Sequence, residues 1–164
     1  MKVNYGEVLF VFFDRTKKLF YIEVKCGREI LLPLKKVLKV SQLAPEQVVI
    51  ISFNRDAVKE AKRLMPGSKS YWITSFRRQF PLGRMEPVIE TILKVLDECN
   101  ADGLDCQGSK HIDKAFVDRL HTAGKEFHVW TIDTVKHVKH FKELGAGSVT
   151  TNRMEKSVTM KNGE

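Results

Sequence analysis

What the chain lacks narrows it first. No apolar run approaches the ~20 residues that a membrane-spanning helix needs. The opening stretch from Val8 to Phe13 is short and runs at once into Asp14, Arg15, Lys17 and Lys18. That stretch also lacks the small-residue cleavage site of a secretory signal, so neither a span nor a leader is expected. Cysteine is scarce: Cys26, Cys99 and Cys106 are odd in number, widely spaced and without a C-x-x-C pair. A disulfide scaffold is thereby excluded, and a reducing, cytoplasmic setting is expected. Acidic residues are outnumbered, 20 against 28 Lys plus Arg, for a formal charge of +8. Such a field attracts phosphate, nucleic acid or an anionic surface without choosing among them. Neither G-x-G-x-x-G nor G-x-x-x-x-G-K-[ST] opens any helical segment, which removes support for the nucleotide-binding open sheets.

What is present is ordinary in bulk and ordered in pattern. The 164 residues, 43% hydrophobic and 29% charged, fit one soluble domain over 1–164 with a sizeable core. Runs rich in β-branched and aromatic residues alternate with amphipathic runs at helical spacing. Leu19–Lys25 reads as a strand and Leu31–Val40 as a helix with Leu34, Val37 and Leu38 inward. Gln47–Phe53 reads as a buried strand, followed by a helix over Asp56–Leu64 whose Ala57, Val58, Ala61 and Leu64 share a face. A strand over Lys69–Thr74 leads into a long loop, Ser75–Arg84, and a helix over Glu86–Cys99. Next come a strand over Gly103–Cys106 and a helix over Lys110–Ala123, capped by Ser109 and closed by Gly124. The last unit is a strand over Glu126–Ile132, a helix capped by Asp133 and ending at Leu144, and a strand over Ser148–Thr151. Five β-α units and a sixth strand imply parallel strands with right-handed helical crossovers. The α/β sheet is open or curled into a barrel, and without a nucleotide motif the barrel is favoured.

Four segments carry a resemblance. At Ile22-Glu23-Val24-Lys25, at Ile51-Ser52-Phe53, at His128 through Asp133 and at Gly145 through Arg153, the chain resembles a glycerophosphodiester phosphodiesterase. The resemblance runs from about Gly6 to Glu155, in the family's order and spacing. It implies strands three to eight of a TIM-type barrel and a metal-assisted phosphodiester hydrolase using magnesium or calcium, with manganese as a further candidate. It also implies that Glu23 is a carboxylate on the metal, Lys25 the cation on the phosphate, and Trp130 the aromatic wall for the alcohol part of the substrate. The family's His-Arg pair and its Glu-x-Asp with a following catalytic His have no counterpart here, and Met154 stands where a proline is usual. The chain looks like the C-terminal two thirds of the barrel.

The residues can be weighed without the family. Glu23 and Lys25 alternate with Val24, so both point inward if Ile22 and Val24 face the helices. A carboxylate beside an amine suits a hard divalent ion and a phosphate oxygen, or else a plain internal salt bridge. Trp130 offers an apolar face and one N–H, or else core packing. His128 alternates with Trp130 and is the histidine to test as a substitute general acid or base. His137 and His140 sit among lysines on a solvated face, while His111 and His121 are placed on one helix too far apart for one site. Ser52, Thr74, Asp105, Gln107, Thr131 and Asn152 fall near strand ends and offer hydroxyl, amide or carboxylate groups to a polar pocket, or else serve as cap and turn residues, the commoner role. Cys106 is expected to be a small buried thiol. Arg77 and Arg78, interleaved with Phe76 and Phe80, resemble a phosphate or nucleic-acid contact and are read as substrate-side residues on a lid.

Six strands cannot close an eight-stranded cylinder, so open edges and an exposed interior are expected. A homodimer or larger homo-oligomer would cover them, with Val8–Phe13 as a strand or swapped arm. The expected function is weak or altered metal-assisted hydrolysis of small, glycerophosphodiester-like substrates. The alternative is a basic anion- or nucleic-acid-binding module without turnover.

Overall fold

The computed structural model describes residues 12–13, 18–79, 81 and 83–153. In chain order the strands and helices are β1 (Phe12–Phe13), β2 (Lys18–Glu23), α1 (Leu31–Val40), β3 (Val48–Ser52), α2 (Arg55–Leu64), β4 (Lys69–Thr74), β5 (Arg77–Gln79), β6 (Arg84–Glu86), α3 (Ile89–Glu98), β7 (Gly103–Gln107), α4 (Lys114–Thr122), β8 (Glu126–Trp130), α5 (Val135–Leu144) and β9 (Ser148–Val149). The main sheet runs β1-β2-β3-β4-β7-β8-β9, and β5-β6 form a separate hairpin. β1 is antiparallel to β2, while every later junction of the main sheet is parallel.

The six parallel strands are curled. Laid flat, β2 and β9 would stand five strand spacings apart, roughly 24 Å. Yet the Tyr21 hydroxyl on β2 reaches the Ser148 hydroxyl on β9, at 3.2 Å. The sheet therefore wraps most of the way around an axis, as an incomplete TIM-type barrel with its helices outside. Side-chain alternation divides the strands accordingly. Val48, Ile50, Ala57, Ala61 and Leu64 pack outside with Ile22 and Val24. Leu104, Cys106, Phe127 and Val129 pack outside against Ile92, Leu96, Val117 and Leu120. Inside, Tyr21, Val49 and Tyr71 pack with Leu19 and Ile51. Gly103 lets β7 approach β8 closely, because a Cβ there would strike the Glu126 carbonyl oxygen. Among the described residues no helix is long and apolar enough to cross a membrane.

Several sequence expectations are corrected. The Ser75–Arg84 loop contains the first strand of a hairpin, with Arg77 opposite Glu86 and Gln79 opposite Arg84. That hairpin takes Glu86 out of the following helix, which begins at Ile89. α4 starts at Lys114 because Asp113 caps it through the Phe116 N–H. Ser109 instead accepts from His111 N–H in a local turn, so His111 lies outside the helix that carries His121. Thr134 caps α5. Asp133 is diverted to Thr151 Oγ1 and the Asn152 N–H, tying the chain beyond β8 to the chain beyond β9. Competing short polar side chains explain both shifts. Val37 is 53% exposed, not inward: α1 turns Leu31, Leu34 and Leu38 to the core and Val37 to solvent. Of the Val8–Phe13 arm, Phe12–Phe13 form β1 on their own chain, and the rest lies outside the described residues.

Candidate active site

Parallel barrels gather functional groups at the C-terminal ends of their strands. Glu23 ends β2 facing inward, 16% exposed, with Lys25 Nζ 3.8 Å from its Oε2 and half exposed. The two are thus joined as both sequence readings require. Trp130 ends β8 on the same inner face; its Nε1–H donates to the Asp105 carbonyl at 3.3 Å. Phe53, just beyond β3, meets the Trp130 ring edge-on with centroids 6.0 Å apart. It is half exposed, so Trp130 and Phe53 form an apolar wall at the mouth.

Asp105 stands at the middle of β7, opposite His128 of β8, with Leu104 and Cys106 turned to the helices. The Asp105 side chain is 3% exposed, and among the described residues its Oδ1 accepts no hydrogen bond. Burial first, and then the negative charge of Glu23, push its carboxyl up to about 7. A carboxylate so placed binds a proton or a cation more readily than a surface one does.

The opposite end of the interior is built differently. Glu126 starts β8 and accepts from Lys69 Nζ at 2.5 Å and from the Tyr71 hydroxyl at 2.6 Å. His128, two residues along β8 and two short of Trp130, stacks on Tyr71 with ring centroids 4.2 Å apart. Its Nδ1 lies 2.8 Å from Ser148 Oγ, which already accepts from Tyr21. The other ring nitrogen, Nε2, faces Glu126 Oε2 at 3.5 Å. That approach is long, and Nε2 makes no well-formed hydrogen bond among the described residues. Burial lowers the His128 pKa against the raising effect of Glu126. His128, together with Lys69 and Glu126, belongs to this floor. Glu23, Lys25 and Trp130 belong to the mouth.

Arg77 and Arg78 are exposed on β5, directly after β4 and so at the mouth end. Phe76 anchors the hairpin by meeting Phe116 edge-on at 6.1 Å. The remaining strand-end residues are mostly structural or exposed. The Ser52 hydroxyl donates to the Val24 carbonyl at 2.6 Å and accepts from the Asn54 N–H, tying two strand ends together. Thr74 is buried, whereas Gln107, Thr131 and Asn152 are exposed or nearly so. Cys106 is fully buried and its thiol is pushed well up by burial, which makes it unreactive. His137 and His140 are exposed. Among the described residues no three His, Cys, Asp or Glu side chains come together as a ready-made metal cage. Sequence reasoning set Asp105 among the strand-end residues of a possible polar pocket and gave Phe53 no site role. Alternation places Asp105 on the inner face of its strand with Gly103 and Gln107.

Comparison with known proteins bears on this geometry. A glycerophosphodiester phosphodiesterase from Parabacteroides distasonis matches with a TM-score of 0.61 and 21% identity, over 87% of this chain and 56% of its own. A putative glycerophosphoryl diester phosphodiesterase from Silicibacter pomeroyi matches with a TM-score of 0.70 and 12% identity, over 87% and 51%. A phosphodiesterase from Oleispira antarctica, solved with the product sn-glycerol-3-phosphate, matches at 0.62 and 20%, over 80% and 49%. This chain therefore spans about half the length of these structures, and the likeness at such identities shows the barrel fold. No curated protein matches. The profile of the Glycerophosphoryl diester phosphodiesterase family matches residues 12–156, and the chain belongs to that family.

Proposed function

We propose that the chain is a metal-assisted phosphodiester hydrolase of weak or altered activity, acting on small glycerophosphodiester-like substrates. The observation that carries this reading is the Glu23–Lys25 pair at the barrel mouth beside the Trp130–Phe53 wall. Family membership supports the reaction class. The product held by the Oleispira antarctica structure supports a glycerol phosphate as the acid half.

The residues present fit a divalent ion to a limited degree. Glu23 is one carboxylate, and the buried, unpartnered Oδ1 of Asp105 lies within its electrostatic reach. With no three-ligand cage among the described residues, the ion would keep several waters or substrate oxygens, which suits magnesium or manganese better than calcium. Such an ion, when bound, polarises a phosphoryl oxygen and makes its water a better nucleophile. The Lys25 ammonium neutralises a non-bridging phosphate oxygen, and Trp130 with Phe53 excludes water around the alcohol. Arg77 and Arg78 add positive field on the hairpin that follows β4. Water adds to phosphorus, the ester P–O bond breaks, and the alcohol leaves with a proton. His128, proposed from sequence as acid or base, supports the floor under the mouth in this reading.

We also propose that the protein acts as a homodimer or higher homo-oligomer within a reducing cytoplasm. Leu32 and Val40 on the edge helix α1 are 56% and 78% exposed, and a second copy would cover them. Cys26, Cys99 and Cys106 are all free thiols. The test is hydrolysis of an activated phosphodiester with magnesium, calcium or manganese, beside Glu23→Ala. Expected is metal-dependent turnover that Glu23→Ala lowers by about 100-fold or more. Equal rates in wild type and variant under every metal would contradict the proposal.

A further inference from the structure

We infer that Trp72 is a positioning residue of the barrel mouth: its indole N–H clamps the turn that holds Phe53 against Trp130. The inference deepens the reading of that mouth as a substrate site and rests on it for the effect on turnover. The two members of the aromatic wall are held in different ways. Trp130 anchors itself, through its own Nε1–H on the Asp105 carbonyl at 3.3 Å. Phe53 has no polar side-chain atom to anchor with and is 51% exposed, so burial fixes it only in part. The missing anchor comes from β4. Trp72 donates its Nε1–H to the Phe53 carbonyl at 3.2 Å, across 19 residues of sequence.

Packing alone does not call for an indole at this position. Trp72 is 5% exposed and lies in the outer core with Val58 and Ile92, where an all-carbon ring would fill space without burying a polar N–H. That N–H is satisfied by the carbonyl that sets the peptide plane after Phe53, so the bond fixes the backbone from which the phenyl ring projects. The turn grips the indole in return. Arg55, two residues beyond Phe53, holds its guanidinium over the Trp72 ring, 5.3 Å from the centroid. On the other side of Phe53, the Ser52 hydroxyl donates to the Val24 carbonyl and accepts from the Asn54 N–H. Val24 stands between Glu23 and Lys25, so the turn is bonded both to the strand end with the charged pair and to β4. Held between these bonds, the exposed Phe53 ring is kept edge-on to Trp130 before any substrate arrives. A wall preorganised in this way binds the alcohol half without first losing side-chain freedom.

The test uses the full chain labelled with fluorotryptophan, followed by fluorine NMR; Trp72 and Trp130 are its two tryptophans and give one signal each. Phe53→Ala sets the position that the Trp130 signal takes without its edge-on neighbour. Trp72→Phe is expected to move the Trp130 signal most of the way to that position, and Arg55→Gln part of the way. Ile92→Ala, in the same outer core, should lower the melting temperature and leave the Trp130 signal where it is in wild type. A wild-type Trp130 signal in Trp72→Phe, or an equal shift in Ile92→Ala, would overturn the inference. If Trp72→Phe does not fold, an unshifted signal in Arg55→Gln overturns it instead. In turnover of a phosphodiester with an apolar alcohol, Trp72→Phe should raise KM by about two- to tenfold and leave kcat within about twofold, because one neutral hydrogen bond is lost from the wall and nothing from the charged pair. A loss in kcat with KM unchanged would contradict the positioning role. No turnover in wild type would overturn the hydrolase reading alone, with the fluorine signals still deciding whether Trp72 clamps the turn.

Discussion

Two carboxylates of the barrel interior stand in opposite conditions. At the floor, the approach of His128 and the hydrogen bonds from Lys69 and Tyr71 hold Glu126 down to about 2. At the middle of β7, burial and the charge of Glu23 push Asp105 up to about 7. The fold is the same and both residues face inward, so the difference lies in their partners. The floor is built for stability, because each of its charges is met by a donor. Asp105 is met by no donor at Oδ1 among the described residues, which costs stability.

That contrast predicts changes of opposite sign. Asp105→Asn, measured with a chelator present, should stabilise the protein at pH 8 by about 3 kcal/mol, less than the full shift implies because a buried amide remains. The folded state keeps the Asp105 proton to about pH 7, whereas the unfolded chain gives it up near its ordinary 3.8. Folded protein therefore binds more protons between those values, and stability falls as pH rises through that window. Below pH 4 the gain from Asp105→Asn should vanish, and chemical denaturation at both pH values checks it.

Glu126→Gln should destabilise, by about 1–2 kcal/mol at neutral pH, discounted because Glu126 is 42% exposed and its Lys69 partner reaches solvent. Its ordinary pKa of 4.5 is depressed in the fold, so the Glu126 contribution is present above 4.5 and is lost as pH falls toward 2. The difference between wild type and variant in denaturation should shrink over that range. Smallest is Tyr71→Phe, which keeps the ring on His128 and deletes only the hydroxyl to Glu126, for about 1 kcal/mol. A larger loss there would mean that the floor depends on that one bond.

Much of this arrangement was legible in the sequence. The alternation of Ile22, Glu23, Val24 and Lys25 places the mouth pair, and the period of Ala57, Val58, Ala61 and Leu64 places a buried helix face. Helix starts were misplaced where two capping side chains compete, as at Ser109 with Asp113 and at Asp133 with Thr134. The β5-β6 hairpin was hidden because each strand has three residues and β5, Arg77–Gln79, is exposed with no apolar side chain to set a period. His128 and Trp130 share a face, yet a rise of about 3.3 Å per residue puts the ring about 7 Å toward the floor. Which inward group finds a partner depends on strands far apart in sequence, and local pattern does not report that.

The most direct measurement compares turnover of an activated phosphodiester, with magnesium, by Glu23→Ala and Glu126→Gln at a temperature where both are folded. The account predicts that the floor variant Glu126→Gln, although less stable, keeps the wild-type rate within a small factor, while the mouth variant Glu23→Ala loses it. Loss of turnover in Glu126→Gln with Glu23→Ala unaffected would contradict it.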